Sequence, residues 1–268
     1  MDGKTAAELL TRIRSEKPVV HHITNYVTVN DCANITICAG ASPVMADSLD
    51  EVSEMVRIAG ALVLNIGTLN RELVESMLVA GKTANELGIP IILDPVGVGA
   101  TELRTKSAVK LTEQLDISVI KGNAGEIGIL SGAKATVRGV DSGSLDEDRL
   151  QVAVKCSNLT GAVVAMSGEK DIVTDGKIVY SVENGHSLMG NLSGTGCMAS
   201  SLSGAFAAVS DSYLESTASA LALFGLCGEK ASVYAKGPYS FRTGLCDELF
   251  RLKPVELSVD AKIKDISL

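Results

Sequence analysis

The sequence has no tryptophan, and aromatic residues make up only 3% of its 268 positions. Basic residues are also in deficit, because 24 Lys and Arg stand against 32 Asp and Glu and leave a formal net charge of −8. Proteins that bind nucleic acid need a basic face, and many use aromatic rings on which bases stack. We therefore expect no nucleic-acid partner. An anionic small ligand is not excluded, since a local group of backbone amides can bind phosphate.

Long hydrophobic runs and paired cysteines are missing as well. No stretch of about 18 uncharged apolar residues occurs, so the sequence predicts no membrane span. The first residues lack the apolar segment of a signal peptide and predict an amphipathic helix with Leu9, Leu10 and Ile13 on one face. The six cysteines contain no CxxC pair and are typical of reduced thiols, and the three histidines lack metal-ligand spacing. We therefore expect a cytoplasmic protein.

The composition and the order of apolar and amphipathic segments are typical of a folded α/β protein. Hydrophobic residues make up 46% of the chain, and short apolar runs alternate with amphipathic segments, which is typical of parallel strands connected by helices. The predicted strands are 18–23, 42–45, 61–65, 90–93, 118–120 and 162–166. The predicted helices include 50–59, 70–87, 195–209, 214–235 and 241–252. Asp175-Gly176 predicts a hairpin turn, and the residues after Pro254 carry no clear pattern. Without a linker or repeat, we expect one domain, 1–268.

Ligands of open parallel sheets bind at the carboxyl ends of the strands. Polar residues and glycines, together with Met45, lie at or just after the ends of the predicted strands: His22, Thr24, Asn25, Met45, Asp47, Asn65, Gly67, Asp94, Lys121, Asn123, Glu126, Ser167, Gly168 and Glu169. Asp, Asn and Gly also cap helices and form turns, so no single position is decisive. The whole set predicts one polar cleft.

Asp94 and Glu126 are the two carboxylates that adjacent strand ends could bring together. Two oxygen ligands with retained waters are the usual way in which proteins hold Mg²⁺ beside a nucleotide. The structural alternatives are a helix N-cap for Asp94, and for Glu126 a first-turn acid with Asn123 as the cap.

The segment Gly194-Thr195-Gly196 precedes a predicted helix and would offer consecutive backbone amides to an anion, such as a transferring phosphoryl group. Close packing of a helix rich in small residues is the alternative. Cys197 follows, where a helix N-terminus would lower the pKa of a thiol, although a buried cysteine is often only a small core residue. The chain has neither a Walker A loop nor a complete GxGxxG fingerprint.

Six motifs in order carry a family resemblance: HHITNYVTVNDCAN, ASPVMAD, LVLNIGTL, ILDPVGVGAT, IKGNAGEI and GTGCM. Between about Pro18 and Ala231 the chain resembles the hydroxyethylthiazole kinase family of thiamin salvage, within the ribokinase-like superfamily. The resemblance implies a three-layer α/β/α sandwich with a mainly parallel central sheet. It also implies ATP-dependent phosphorylation of the hydroxyl of 4-methyl-5-(2-hydroxyethyl)thiazole, with Mg²⁺, by a homotrimer whose sites lie at subunit interfaces.

The resemblance also implies a role for each matching residue. Met45 and Gly194 would contact the thiazole, and Asn25, Val27 and Gly67 would line its pocket. Lys121, Asn123 and Ser167 would bind ATP, and Asp94 and Glu126 would organise Mg²⁺ through water. The catalytic group would comprise Gly194, Thr195, Gly196 and Cys197, with Cys197 at the position where most ribokinase-like enzymes carry an Asp base. The family pattern has Arg in place of Lys121, and usually Thr in place of Ser167.

Other functions remain open at this stage. A second vitamin-salvage kinase, for a pyrimidine alcohol or pyridoxal, would have the same fold. A related NAD(P)H-hydrate dehydratase would be expected to have Asp where this chain has Cys197. A ligand-binding protein without activity would have no need for two carboxylates beside an anion-binding loop.

Overall fold

The computed structural model describes residues 2–133, 135–138, 142–145 and 148–267. One nine-stranded sheet runs through the molecule in the order β11-β10-β9-β8-β5-β4-β3-β1-β2. Its parallel strands are β1 (Val19–Ile23), β2 (Ser42–Met45), β3 (Ala61–Asn65), β4 (Ile91–Asp94), β5 (Val119–Asn123) and β8 (Val163–Ser167). Three antiparallel strands extend one edge: β9 (Asp171–Thr174), β10 (Val179–Val182) and β11 (Ile263–Asp265). A separate two-stranded ribbon is formed by β6 (Ala135–Arg138) and β7 (Ser142–Leu145).

Helices cover both faces of the sheet, which makes three layers. One face carries α1 (Gly3–Glu16), α2 (Val29–Ala39), α8 (Thr195–Ala207), α9 (Tyr213–Ser232), α10 (Pro238–Arg251) and α11 (Pro254–Asp260). The other carries α3 (Val52–Val56), α4 (Arg71–Leu87), α5 (Glu102–Gln114), α6 (Ala124–Leu130) and α7 (Arg149–Thr160). A 3-10 turn, Ser187–Asn191, leads towards α8. Among the described residues, no helix is both long and apolar enough to cross a bilayer.

Successive side chains of each strand point to opposite faces of the sheet, so the hydrophobic core consists of two clusters, one on each face. Val63 packs into the cluster on the α8 side, whereas its neighbours Leu62 and Leu64 pack into the cluster on the α4 side. Because successive side chains of a strand point to opposite faces, a sheet covered on both sides needs strands that are apolar throughout. All five residues of β3 are buried, as this predicts.

Helix α8 lies directly on the sheet because its residues are small. A Cβ atom on Gly204 would come within 2.7 Å of Cγ2 of Val63, so a larger residue would push the helix outward. This close approach places the N-terminus of α8 at the carboxyl edge of the strands.

The α/β fold class, the mainly parallel sheet and the hairpin at Asp175-Gly176 are confirmed. The amphipathic N-terminal helix is confirmed too, with Leu9, Leu10 and Ile13 buried. The segment predicted as helix 50–59 is shorter, since the α-helix covers only Val52–Val56. Neither β11 nor the β6-β7 ribbon was predicted. β11 is an edge strand of three residues that is defined by pairing with β10 rather than by its own pattern.

Candidate active site

A chain of buried amide hydrogen bonds connects three strand ends. The Asn25 side chain, just after β1, donates from Nδ2 to Oδ1 of Asn65 at 3.0 Å. Asn65, the last residue of β3, donates from Nδ2 to Oδ2 of Asp94 at 2.9 Å. Asp94 is the last residue of β4, so neighbouring parallel strands bring the three side chains to one edge of the sheet. The predicted convergence at the strand ends is therefore present.

Asp94 is only 3% exposed and receives two hydrogen bonds on a single oxygen. Its Oδ2 accepts from the Ser200 hydroxyl at 2.7 Å and from Asn65, while no described group donates to Oδ1. Burial raises the pKa of Asp94, and the charge of Lys121 opposes that rise. The N-cap interpretation is wrong, because Thr101 caps the following helix, α5.

Glu126 lies in the first turn of α6 and is 4% exposed. Its Oε1 accepts from the Gly97 amide and its Oε2 from the Asn123 amide, each at 2.8 Å, while Asn123 Oδ1 caps the Glu126 amide at 3.0 Å. The capping geometry that the sequence left open is therefore real. Burial, followed by the repulsion of Asp94, raises the pKa of Glu126 to about 7. A cation between the two carboxylates would relieve that repulsion.

The carboxylate oxygens of Asp94 and Glu126 suit a hydrated hard cation better than a metal ion coordinated by protein groups alone. Within the described ranges, no group of three or more His, Cys, Asp or Glu could hold a metal ion. Mg²⁺ keeps several waters and is commonly bound by one or two carboxylates together with substrate phosphates. Asp94 and Glu126 fit that pattern, with Oδ1 of Asp94 free of described hydrogen bonds.

The predicted nucleotide-side residues lie on adjacent strands. Lys121 in β5 is 4% exposed, and its Nζ donates to the Gly196 carbonyl at 3.1 Å. Ser167 at the end of β8 pairs in register with Asn123 and donates from Oγ to the Gly122 carbonyl at 3.2 Å. Lys121 thus joins β5 to the first turn of α8, where its charge also opposes the rise in pKa of both carboxylates.

The N-terminus of α8 has the geometry of an anion site. Gly194 caps the helix with φ +91°, a left-handed conformation that favours glycine, and a Cβ atom there would lie 2.5 Å from Cγ2 of Thr28. The amides of Thr195, Gly196 and Cys197 donate to no group in the described part of the chain. Free N–H groups at the positive end of a helix attract negative charge.

Cys197 lies in the first turn of α8 and its sulfur faces the amide chain. Its sulfur accepts from Nδ2 of Asn25 at 3.4 Å and from Nδ2 of Asn65 at 3.3 Å. Burial, with a further contribution from Asp94, raises the pKa of this thiol to about 12. The expectation that the thiol pKa is lowered is therefore wrong, because burial and the nearby Asp94 carboxylate raise it.

The residues predicted to contact the thiazole differ in how deeply they are buried. Asn25 is buried and Gly67 lies against it, since a Cβ atom on Gly67 would come 2.9 Å from that of Asn25. Met45 ends β2 opposite His22 and is partly buried. Val27, in contrast, is 63% exposed in the single chain. Asn25 thus contacts the Cys197 sulfur and Gly67 lies against Asn25, while Val27 is exposed.

Sequence reasoning assigned no role to three residues that hold the site together. Asn65 was singled out only as a polar strand end, and Ser200 belongs to the predicted helix whose small residues indicated only close packing. Gly97 belongs to an incomplete glycine motif, yet its amide binds Glu126. Position at a strand end was the available signal for Asn65, whereas Ser200 reaches Asp94 only because α8 returns to the sheet edge.

The architecture defines a fold class. A mainly parallel sheet between two helical layers, with polar side chains gathered at its carboxyl edge, is the ribokinase-like fold. The solved pyridoxal kinase from Staphylococcus aureus in complex with AMP-PCP and pyridoxal has this fold, with a TM-score of 0.59, 15% identity, and coverage of 94% of this chain and 99% of that chain.

A family model and relatives of higher sequence identity identify the family of this chain. Residues 10–255 match the hydroxyethylthiazole kinase family model. The hydroxyethylthiazole kinase of Methanocella arvoryzae is 59% identical over 264 residues, 98% of this chain and 99% of the relative. A solved hydroxyethylthiazole kinase protein from Pyrococcus horikoshii OT3 has a TM-score of 0.89 and 41% identity, covering 98% of this chain and 99% of that chain. The chain belongs to the hydroxyethylthiazole kinase family.

Proposed function

We propose that this chain, as one kinase domain of residues 1–268, transfers the γ-phosphoryl group of ATP to the hydroxyl of 4-methyl-5-(2-hydroxyethyl)thiazole in thiamin salvage. One observation carries the proposal. Two buried carboxylates, Asp94 and Glu126, lie at the sheet edge where α8 begins, and the first amides of that helix donate to no described group, in a member of this kinase family. The substrate itself is inferred from the names of the relatives.

The residues divide into roles that phosphoryl transfer requires. The reaction needs alignment of the acceptor with the γ-phosphorus and neutralisation of charge on the phosphate oxygens. The amides of residues 194–197 would hold the transferring group, while Lys121, with Ser167 and Asn123 beside it, would bind the remaining phosphates. Asp94 and Glu126 would hold Mg²⁺ through water, and the bound ion would neutralise charge on the polyphosphate.

The acceptor side would be formed by Met45, Asn25, Val27, Gly67 and Gly194. A neutral thiazole would be held there mainly by aliphatic and sulfur contacts, because the chain has few aromatic residues.

Cys197 would orient the hydroxyl rather than remove its proton early. A thiol with a pKa of about 12 is almost fully protonated at neutral pH, so it is a poor general base. The transition state of phosphoryl transfer is largely dissociative, which lets the hydroxyl lose its proton late. We infer that the sulfur acts as a hydrogen-bonding partner of the acceptor oxygen.

We also propose a cytoplasmic homotrimer with its sites at subunit interfaces. The exposed fractions of Tyr26 and Val27, 78% and 63%, support this assembly. They give the loop beside Asn25 an apolar surface that a second subunit could cover.

The test is ADP release by the purified protein with Mg·ATP. Four reactions are compared: with the hydroxyethylthiazole, with hydroxymethylpyrimidine, with pyridoxal and with no acceptor. We expect stimulation by the thiazole alone. Stimulation by another alcohol would replace the substrate, whereas ATP binding without stimulation by any acceptor would favour a binding protein or a dehydratase.

A further inference from the structure

Asn65 is the one side chain in the described structure that hydrogen-bonds both to the Asp94 carboxylate and to the Cys197 sulfur. Its Nδ2 donates to Oδ2 of Asp94 at 2.9 Å and to Sγ of Cys197 at 3.3 Å. Its Oδ1 accepts from Nδ2 of Asn25 at 3.0 Å and from the Gly67 amide at 2.9 Å. The side chain is 1% exposed, so water does not compete for these bonds.

These four hydrogen bonds satisfy every donor and acceptor of the Asn65 carboxamide. The NH₂ group has two hydrogens, and both have acceptors; the carbonyl oxygen has two lone pairs, and both have donors. A flipped amide would set Oδ1 against the Asp94 carboxylate and Nδ2 against the Gly67 amide, which are two repulsive contacts. The surroundings therefore impose one orientation, with the donors pointing towards Asp94 and Cys197.

Asn25, which donates to the carbonyl oxygen of Asn65, is itself held by further hydrogen bonds. Asn25 accepts on Oδ1 from both the amide and the hydroxyl of Thr28, at 3.0 and 3.1 Å, and uses Nδ2 to reach Asn65 and Cys197. Thr28 caps α2 and contacts the Gly194 position of the anion site. The amide chain thus begins beside the predicted phosphoryl site and ends at the predicted metal carboxylate, with the thiol held from the side.

We propose that Asn65 is a positioning residue of the phosphoryl transfer: its amide holds the Cys197 sulfur at a fixed place relative to Asp94, and thereby sets where the acceptor hydroxyl lies relative to the metal-binding carboxylate. The proposal rests on the proposed function and adds a residue to it. Displacements of about 1 Å in a reacting geometry can cost about 100-fold in rate, so a residue that never touches substrate can govern turnover.

Two substitutions test the hydrogen bonds of Asn65 apart from its shape. Asn65→Leu keeps the branched shape but removes every hydrogen bond, and Asn65→Ala removes the hydrogen bonds together with the shape, without adding a charge beside Asp94. Ser200→Ala is the matched control, because it removes the other donor to the same Asp94 oxygen without touching Cys197. All variants are compared by kcat, KM for each substrate, and calorimetric binding of the thiazole alcohol, which needs no turnover.

We expect both Asn65 variants to lose about 30-fold in kcat, with KM values and thiazole binding within about twofold of the unsubstituted protein. Ser200→Ala should lose no more than about fivefold, the effect of one hydrogen bond. In a Cys197→Ala background, Asn65→Leu should also cost no more than about fivefold, because the connection to sulfur no longer exists.

The proposal is overturned if KM or binding changes while kcat does not, or if Asn65→Leu costs the full 30-fold in the Cys197→Ala background. It is also overturned if both Asn65 variants lower the melting temperature by more than about 10 °C, which would show that the amide serves the fold. Turnover of the unsubstituted protein is measured first. A failure of the proposed function therefore appears there, as absent thiazole-dependent ADP release, and a failure of this inference appears only among the variants.

Discussion

The two buried carboxylates should make the metal-free protein less stable than it would be with one of them neutral. Glu126 has a folded-state pKa of about 7 against an ordinary value of 4.5, because of burial and the repulsion of Asp94. A carboxyl with a raised pKa contributes stability that is present below about 4.5 and lost as the pH rises through about 7. At about 1.4 kcal/mol per pKa unit, the shift corresponds to about 3 kcal/mol.

Asp94→Asn is the substitution that tests this reasoning. The new side chain keeps a carbonyl oxygen for Ser200 and Asn65, and its NH₂ group takes the place of Oδ1, to which no described group donates. It therefore removes charge without removing a hydrogen-bond acceptor. If the Asp94 repulsion accounts for up to half of the Glu126 shift, the gain at pH 8 is about 1–2 kcal/mol, or roughly 2–6 °C in melting temperature.

The assay is thermal unfolding in EDTA, without nucleotide, at pH 8 and pH 5. At pH 5 most Glu126 side chains are protonated in the folded state, so the repulsion is absent and the gain from Asp94→Asn should be clearly smaller than at pH 8, with the remainder due to burial of the Asp94 charge itself. An Asp94→Asn protein that is no more stable than the unsubstituted chain at pH 8 would refute the electrostatic account. An equal gain at both pH values would refute the assignment to Glu126.

Three further predictions concern activity. Cys197→Ala should keep measurable steady-state turnover, whereas Asp94→Ala and Glu126→Ala should lose most of it; equal loss in all three would contradict a late proton transfer. Met45→Ala should raise the KM for the thiazole more than the KM for ATP, and the reverse pattern would place Met45 elsewhere. Lys121→Met should weaken binding of a non-hydrolysable ATP analogue about tenfold or more, measured by calorimetry, and unchanged binding would remove Lys121 from the phosphate site.

The parts of the fold that were predictable are those in which local pattern and tertiary structure agree. Helix α4 was predicted within one residue, because Asn70 caps its start by accepting from the Leu73 amide at 2.8 Å and Gly88 ends it in a left-handed conformation. The central strands were predicted because burial on both faces makes them apolar throughout. β11 could not be predicted, since two of its three residues, Lys264 and Asp265, are charged and exposed, and the segment forms a strand only by pairing with β10.

The residues of the site also divide into those that the sequence pattern predicts and those that depend on the tertiary structure. Strand ends indicated Asp94, Glu126, Lys121 and Ser167 because parallel strands finish at one edge. The pKa of Cys197 was not predictable, because it depends on burial and on the distance to Asp94, neither of which appears in the linear sequence. The contact of the Ser200 hydroxyl with Asp94 likewise arises only when α8 folds back over β4.

The most direct test of the account is identification of the product. The purified protein is incubated with Mg·ATP and the hydroxyethylthiazole, and the acceptor is analysed by mass spectrometry and by phosphorus NMR, with Asp94→Ala as the control. We predict a phosphate ester on the hydroxyethyl group, formed in step with ADP by the unsubstituted protein and nearly absent with Asp94→Ala. ADP formation with an unmodified thiazole alcohol, or an ester formed equally well by Asp94→Ala, would contradict the account.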